Sequence, residues 1–181
     1  MPSVVDLALL ALLFAPVSDY QSAERKIELI EKDQAPPNSR VVLTSRELNA
    51  YARHEAPPGV RNVRLDLGTG SATGSADIDF LKVSEAKGGS PPNPLLAGLL
   101  EGERPVRVTA RMRSGDGRAT IDVTTVEISG ISISGRALDF LIQHFLLPAY
   151  PDAKIGEPFE LGHRIDRIEV QPTKVDVVIG K

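Results

Sequence analysis

The segment Arg136–Leu147, RALDFLIQHFLL, constrains this chain more than any other stretch of it. Wound as a helix, it places Ala137, Leu138, Leu141, Ile142, Phe145 and Leu146 on a wide apolar arc. Phe140 and Leu147 then intrude on the polar side beside Arg136, Asp139, Gln143 and His144. A helix lying on one flat sheet needs only a single apolar stripe. A helix apolar around most of its circumference needs a partner on more than one side. Strand-like stretches precede it and a strand pair follows it, so the expected wrapper is a strongly curved antiparallel sheet. Such a sheet either buries the helix in a dry core or leaves a slot for an apolar ligand.

The 181 residues suit a single domain, and 41% of them are hydrophobic, enough for a substantial core. Aromatics make up only 4% and Trp is absent, so Leu, Ile and Val must build that core. A formal charge of −3 argues against a nucleic-acid protein, whose phosphate contacts need a basic field. With no cysteine, a disulfide framework, a thiolate zinc site, an iron–sulfur cluster and an acylated lipoprotein cysteine are all excluded. Val4–Phe14, VVDLALLALLF, is too short to span a bilayer as a helix. Its length matches the apolar region of a secretory signal, although no Lys or Arg precedes it and Asp6 interrupts it. We therefore expect residues 1–23 to be a signal peptide or an N-terminal apolar helix, residues 24–181 to form one α+β domain, and the protein to be periplasmic or otherwise exported.

Helix signals follow. Ser22–Asp33 reads as a short solvated helix, stopped by Gln34–Ser39. Val41–Leu43 is a strand candidate, and Thr44-Ser45-Arg46-Glu47 is a capping box opening a second helix that Ala56-Pro57-Pro58-Gly59 ends. Val63, Leu65 and Leu67 alternate with Arg64 and Asp66. After a Gly68-Thr69-Gly70 turn, Ala72, Gly74, Ala76, Ile78 and Phe80 alternate with Thr73, Ser75, Asp77 and Asp79. The small inward residues permit close approach of another element or leave space beneath the sheet. Leu95–Leu100 is a short apolar segment. Val106, Val108, Ala110 and Met112 form a further strand, joined through Ser114-Gly115-Asp116-Gly117 to Ala119, Ile121 and Val123. Val126 and Ile128 fall out of phase with those three, so a bulge is expected near Thr124-Thr125 or Gly130. Phe159 and Leu161 start a strand, and a terminal hairpin spans Ile165–Ile179. The fold class is α+β.

No residue set specifies a reaction. Gly68-x-Gly70-x-x-x-Gly74 leads into a strand rather than a helix, so it does not hold a dinucleotide. Asp77 and Asp79 share a strand face and could ligate a hard cation or act as acid and base; a solvated sheet face explains them as well. His54, His144 and His163 have no metal-binding spacing, and the GISISG serines, Ser132 and Ser134, lack a nucleophile-elbow pattern. Arg107, Arg111 and Arg113 line one strand face, where they could meet anionic headgroups or simply balance acids such as Asp122. The apolar set Phe80, Leu138, Phe140, Leu141, Phe145, Leu146 and Phe159 could line a cavity or a plain core.

Val41–Tyr51, VVLTSRELNAY, resembles the L-T-x-x-E-L-N start of bacterial cell-envelope proteins of the tubular lipid-binding (TULIP-like) superfamily. The later order is similar too: a Gly-Asp-Gly hairpin, a long strand ending in VEISGISISG, an apolar helix and a terminal strand pair. The resemblance covers residues 40–180 and implies a highly curved sheet around a long helix, with an apolar groove that binds or shuttles lipids without catalysis. The expected function is therefore non-enzymatic binding of a lipid or other apolar molecule in the cell envelope. Phe80, Leu138, Phe140, Leu141, Phe145, Leu146 and Phe159 would line the site, and Arg107, Arg111 and Arg113 would orient a headgroup. No cofactor, metal or nucleic acid is expected, and peripheral membrane contact is possible on this reading. The alternative is an envelope assembly module with a solid core and no ligand.

Overall fold

The computed structural model describes residues 17–86, 101–143 and 154–181. In chain order the elements are α1 (Asp19–Glu31), β1 (Arg40–Thr44), α2 (Ser45–His54), β2 (Val60–Gly68), β3 (Ser71–Asp79) and α3 (Phe80–Ala86). Then come β4 (Glu103–Gly115), β5 (Arg118–Ile128), β6 (Ile131–Ser132), α4 (Arg136–Leu141), β7 (Phe159–Glu160), β8 (Ile165–Gln171) and β9 (Lys174–Ile179). The class is α+β with antiparallel sheets, as the patterning predicts. The run at Val4–Phe14, the Leu95–Leu100 segment, and Phe145 and Leu146 lie outside the described residues.

The expected single sheet is two. One holds β2, β3, β4 and β5 in sequence order, with the short β6 and β7 both pairing with β5; the other has the order β1-β9-β8. The terminal hairpin does not extend the larger sheet. The tips of the two long hairpins bond to β8 instead: Gly70 N donates to Val170 O at 2.9 Å and Gly117 N to Asp166 O at 2.8 Å. Between them the Ser114 hydroxyl donates to Ile168 O and accepts from Ile168 N, at 2.7 and 2.8 Å. Backbone groups that would otherwise form an exposed edge are thus satisfied.

Both N-terminal helices start where the side chains dictate. Ser18 and Gln21 form a capping box on α1, and Thr44 and Glu47 form one on α2. The two helices cover the smaller sheet, where Ile30 and Ala35 close over Val41, Val177 and Ile179. Asn49 of α2 then reaches the edge of β2. Its amide donates to Leu65 O at 2.7 Å and accepts from Leu65 N at 2.8 Å, as a neighbouring strand would.

In the larger sheet the register explains the phase slip. Thr109 faces Thr125 and Ala110 faces Val123, so Thr124 is the extra residue of a bulge in β5. Ala119, Ile121 and Val123 before it, and Val126 and Ile128 after it, therefore point to one side. A second irregularity between Arg61 and Arg64, with Asn62 at φ 53°, does the same for Val60 and Val63 in β2.

One expectation is corrected in detail. Phe80 does not continue β3; it opens α3, because Asp79 Oδ1 accepts from Lys82 N at 3.2 Å and caps the turn. Of the segment beginning at Arg136, Arg136–Leu141 is α-helix and residues 142–143 stay helical, and the rest lies outside the described residues; among the described residues there is no long apolar helix.

Candidate functional site: an apolar groove

The cross-strand pairs put Val60, Ile78, Val106, Val108, Val126 and Ile128 on one face of the larger sheet. Three helices border this floor. The end of α2 and the turn after it contribute Ala52, Glu55, Ala56 and Pro57; α3 contributes Phe80 and Val83; α4 and its extension contribute Leu138, Leu141 and Ile142. They enclose a groove of about 410 Å³, large enough for a small apolar ligand. Glu55 is the one ionisable side chain among its described lining residues. Its deep end is dry: Ile128 is 0% exposed, and Phe80, Val126, Ile133 and Leu141 pack as one buried cluster.

Two glycines shape the groove in opposite ways. At Gly59, with φ +89°, an added Cβ would meet Lys82 Cβ at 3.0 Å, so only glycine lets the α2–β2 turn approach α3. At Gly74, which lies opposite Val108, an added Cβ would meet nothing within 4 Å. Of the two meanings small inward residues can carry, Gly74 takes the second: it leaves room under the sheet.

The candidates from the sequence sort unevenly. Phe80, Leu138 and Leu141 line the groove. Phe140 packs against the same apolar cluster from the side but is not a lining residue. Phe159 sits where β7 pairs with Ala119, away from the groove lining. Arg107, Arg111 and Arg113 stand on the opposite face of the sheet, since they alternate with Val106, Val108 and Met112. The expectation that they meet the headgroup of a ligand in the groove is corrected on that ground: the sheet lies between them. Arg113 instead pairs with Asp122 at 2.9 Å, and Thr73 and Thr109 bond beside the row at 2.9 Å.

Asp77 and Asp79 do share a face but are both engaged. Asn62 donates to Asp77 at 2.7 Å. The Lys82 backbone N–H and its ammonium group hold the Asp79 carboxyl below the usual carboxylate range. Among the described residues no group of three or more His, Asp or Glu side chains could hold a metal ion, and no helix is long and apolar enough to cross a membrane.

Glu55 was missed in the sequence because it sits in a charged run, His54-Glu55. It belongs to a cluster at the groove's lip. Its Oε1 lies 3.0 Å from His54 Nδ1 and 3.4 Å from the Tyr20 hydroxyl, which also donates to Glu24 at 2.7 Å. The Tyr20 ring stacks on His54 at 3.8 Å and on Tyr51 at 6.1 Å. The Glu24 hydrogen bond, burial, and the charges of Glu24 and Glu55 push the Tyr20 phenol well above its ordinary value.

Comparison with family models, with curated proteins and with solved structures finds no match to this chain.

Proposed function

We propose that this protein binds a lipid or other apolar small molecule in the groove between the larger sheet and helices α2, α3 and α4, without catalysing a reaction on it. One observation carries this reading: a cavity of about 410 Å³ with Glu55 as the one ionisable group on its described lining. Water gains little from such a surface, whereas an acyl chain placed there stabilises the complex by about 0.8 kcal/mol per buried CH₂. Bulges at Asn62 and Thr124 supply bends of the kind a wrapping sheet needs. The finer picture, a strongly curved sheet around a long apolar helix of the tubular lipid-binding kind, belongs to this proposal. So do residence in the cell envelope and peripheral contact with a membrane. The ligand contacts are then Phe80, Leu138 and Leu141 with the strand valines, rather than the arginine row.

The test is solvent extraction of the purified chain followed by mass spectrometry. An apolar molecule recovered in near-stoichiometric amount, and displaced by a fluorescent fatty-acyl probe, is the expected result. A protein that carries nothing and binds no acyl probe, yet holds a stable protein partner, would overturn it in favour of an assembly module.

A further inference from the structure

We propose that the groove selects amphiphiles whose headgroup is cationic, with Glu55 at the lip meeting an ammonium group while the tail lies along the strand valines. This inference rests on the apolar-ligand reading above and adds the chemical class of the ligand. The described lining carries a carboxylate and no Lys, Arg or His. Glu55 does not act alone. Its Oε1 and that of Glu24 both lie within hydrogen-bond distance of one hydroxyl, that of Tyr20, so two carboxylates converge on a single point beside the lip.

The Glu24 hydrogen bond, burial and the charges of these same two carboxylates raise the Tyr20 phenol. Tyr51, a turn away on α2, is also pushed up, by burial first and then by the charges of Glu55, Glu31 and Glu24. Arg53, which precedes His54 and Glu55, lines a different depression together with Arg46 and Arg64. The basic row Arg107, Arg111 and Arg113 is screened from the groove by the thickness of the sheet. An anionic headgroup at the lip would face like charge; a cationic one would face its complement.

The experiment uses the full chain at pH 8 and low salt, with three twelve-carbon amphiphiles below their micelle concentrations: dodecyltrimethylammonium, dodecanoate and dodecyl maltoside. Calorimetric titration should give an affinity for the ammonium about tenfold above that for dodecanoate. Glu55→Gln should remove most of that preference, and added salt should shrink it. Glu55 is half exposed, so the substitution should not disturb folding. Arg107→Gln should alter none of the three affinities. Equal binding of all three, or tighter binding of dodecanoate, overturns the cationic preference while leaving the groove as a binding site. Binding of none of them removes the groove reading itself, and the preference with it.

Discussion

The two sheets are built from the same alternation and end differently. In the three-stranded sheet Val41, Val177 and Ile179 meet Ile30 and Ala35, and none of the five is more than 8% exposed. In the larger sheet Val106, Val108, Val123 and Ile78 stay only partly buried, bordering a cavity. The polar faces differ as well. Behind the small sheet, Asp176 is 0% exposed, and its Oδ2 accepts from Arg40, Lys174 and Gln171 at 2.6, 2.9 and 3.3 Å. Burial alone would raise the Asp176 carboxyl; the Lys174 and Arg40 bonds outweigh it and hold it low. Behind the large sheet, the arginines and threonines face water. Among the described residues the apolar face of the small sheet is thus sealed, whereas that of the larger sheet borders a groove. A binding groove needs a rigid neighbour to hold its walls, and the small sheet with α1 and α2 supplies it.

If that division holds, damage to the sealed half should cost stability and leave groove affinity intact in the molecules that fold. The largest such effect is expected at Glu47, which is 5% exposed. Its carboxylate accepts from Ser22 at 2.5 Å, Lys26 at 2.6 Å, and Thr44 N and Oγ1 at 2.7 and 2.8 Å. Glu47→Ala removes a helix cap and strips Lys26 of its partner, and should cost about 3 kcal/mol in urea unfolding. An equal loss of acyl-probe affinity per folded molecule would break the division.

The same residue sets an acid limit. Burial pushes its carboxyl up, but the bonds from Lys26, Ser22 and Thr44 win and lower it from 4.5 to about 2. A depressed folded value means the stabilisation is present above the unfolded value and is lost as pH falls through the folded one. Between about pH 5 and pH 2 the protein should therefore lose roughly 3 kcal/mol through this group. Glu47→Ala should show a flatter profile in that window; an identical profile would remove Glu47 as the source.

Asn49 joins the halves, so its effect should be intermediate. Asn49→Asp keeps the acceptor for Leu65 N but loses the donor to Leu65 O and Ser45 O. The cost should be about 1–2 kcal/mol, since a carbonyl is left unpaired beside a carboxylate. Faster amide exchange should appear along β2 before β9; uniform exchange would show that Asn49 does not guard that edge.

Much of this was legible in the chain and some was not, for physical reasons. The Thr44–Glu47 box, both long hairpins and the bulge at Thr124 are local, and period and turn chemistry reveal them. Phe80 was misplaced because strand alternation runs one residue past the point where Asp79 turns the chain. The arginine row was correctly placed on one strand face, but parity alone does not say which face looks onto a cavity. Asn49 and Glu55 act through contacts distant in sequence, and nothing in their immediate neighbours marks them. The two-sheet division depends on β8 accepting hairpin tips along its edge, a purely tertiary fact.

The bulge itself can be tested by removing it. Deleting Thr124 leaves Val123, Thr125, Val126, Glu127 and Ile128 in regular alternation, so the apolar face stays in phase. The deletion forfeits one bond, from Thr124 Oγ1 to Thr109 O at 3.1 Å, and should change stability by no more than about 1 kcal/mol. It should also flatten β5, because a bulge bends its strand. Acyl-probe affinity should therefore fall severalfold with little loss of fold. Unchanged affinity would mean that the groove does not depend on this bend.

The smallest effect is the most discriminating, because stability and binding should move in opposite directions. Gly74 lies in β3 opposite Val108, with open space where a side chain would stand. Gly74→Val adds a β-branched side chain that favours a strand and reduces the freedom of the unfolded chain, so the folded state should gain about 0.5 kcal/mol. The new methyl groups point toward the side where Val108 lines the groove, and take volume from it. A long acyl probe should bind more weakly and a shorter one should lose less. A stabilised variant that binds every chain length as before would place the ligand elsewhere, and would leave the open face of the larger sheet as architecture alone.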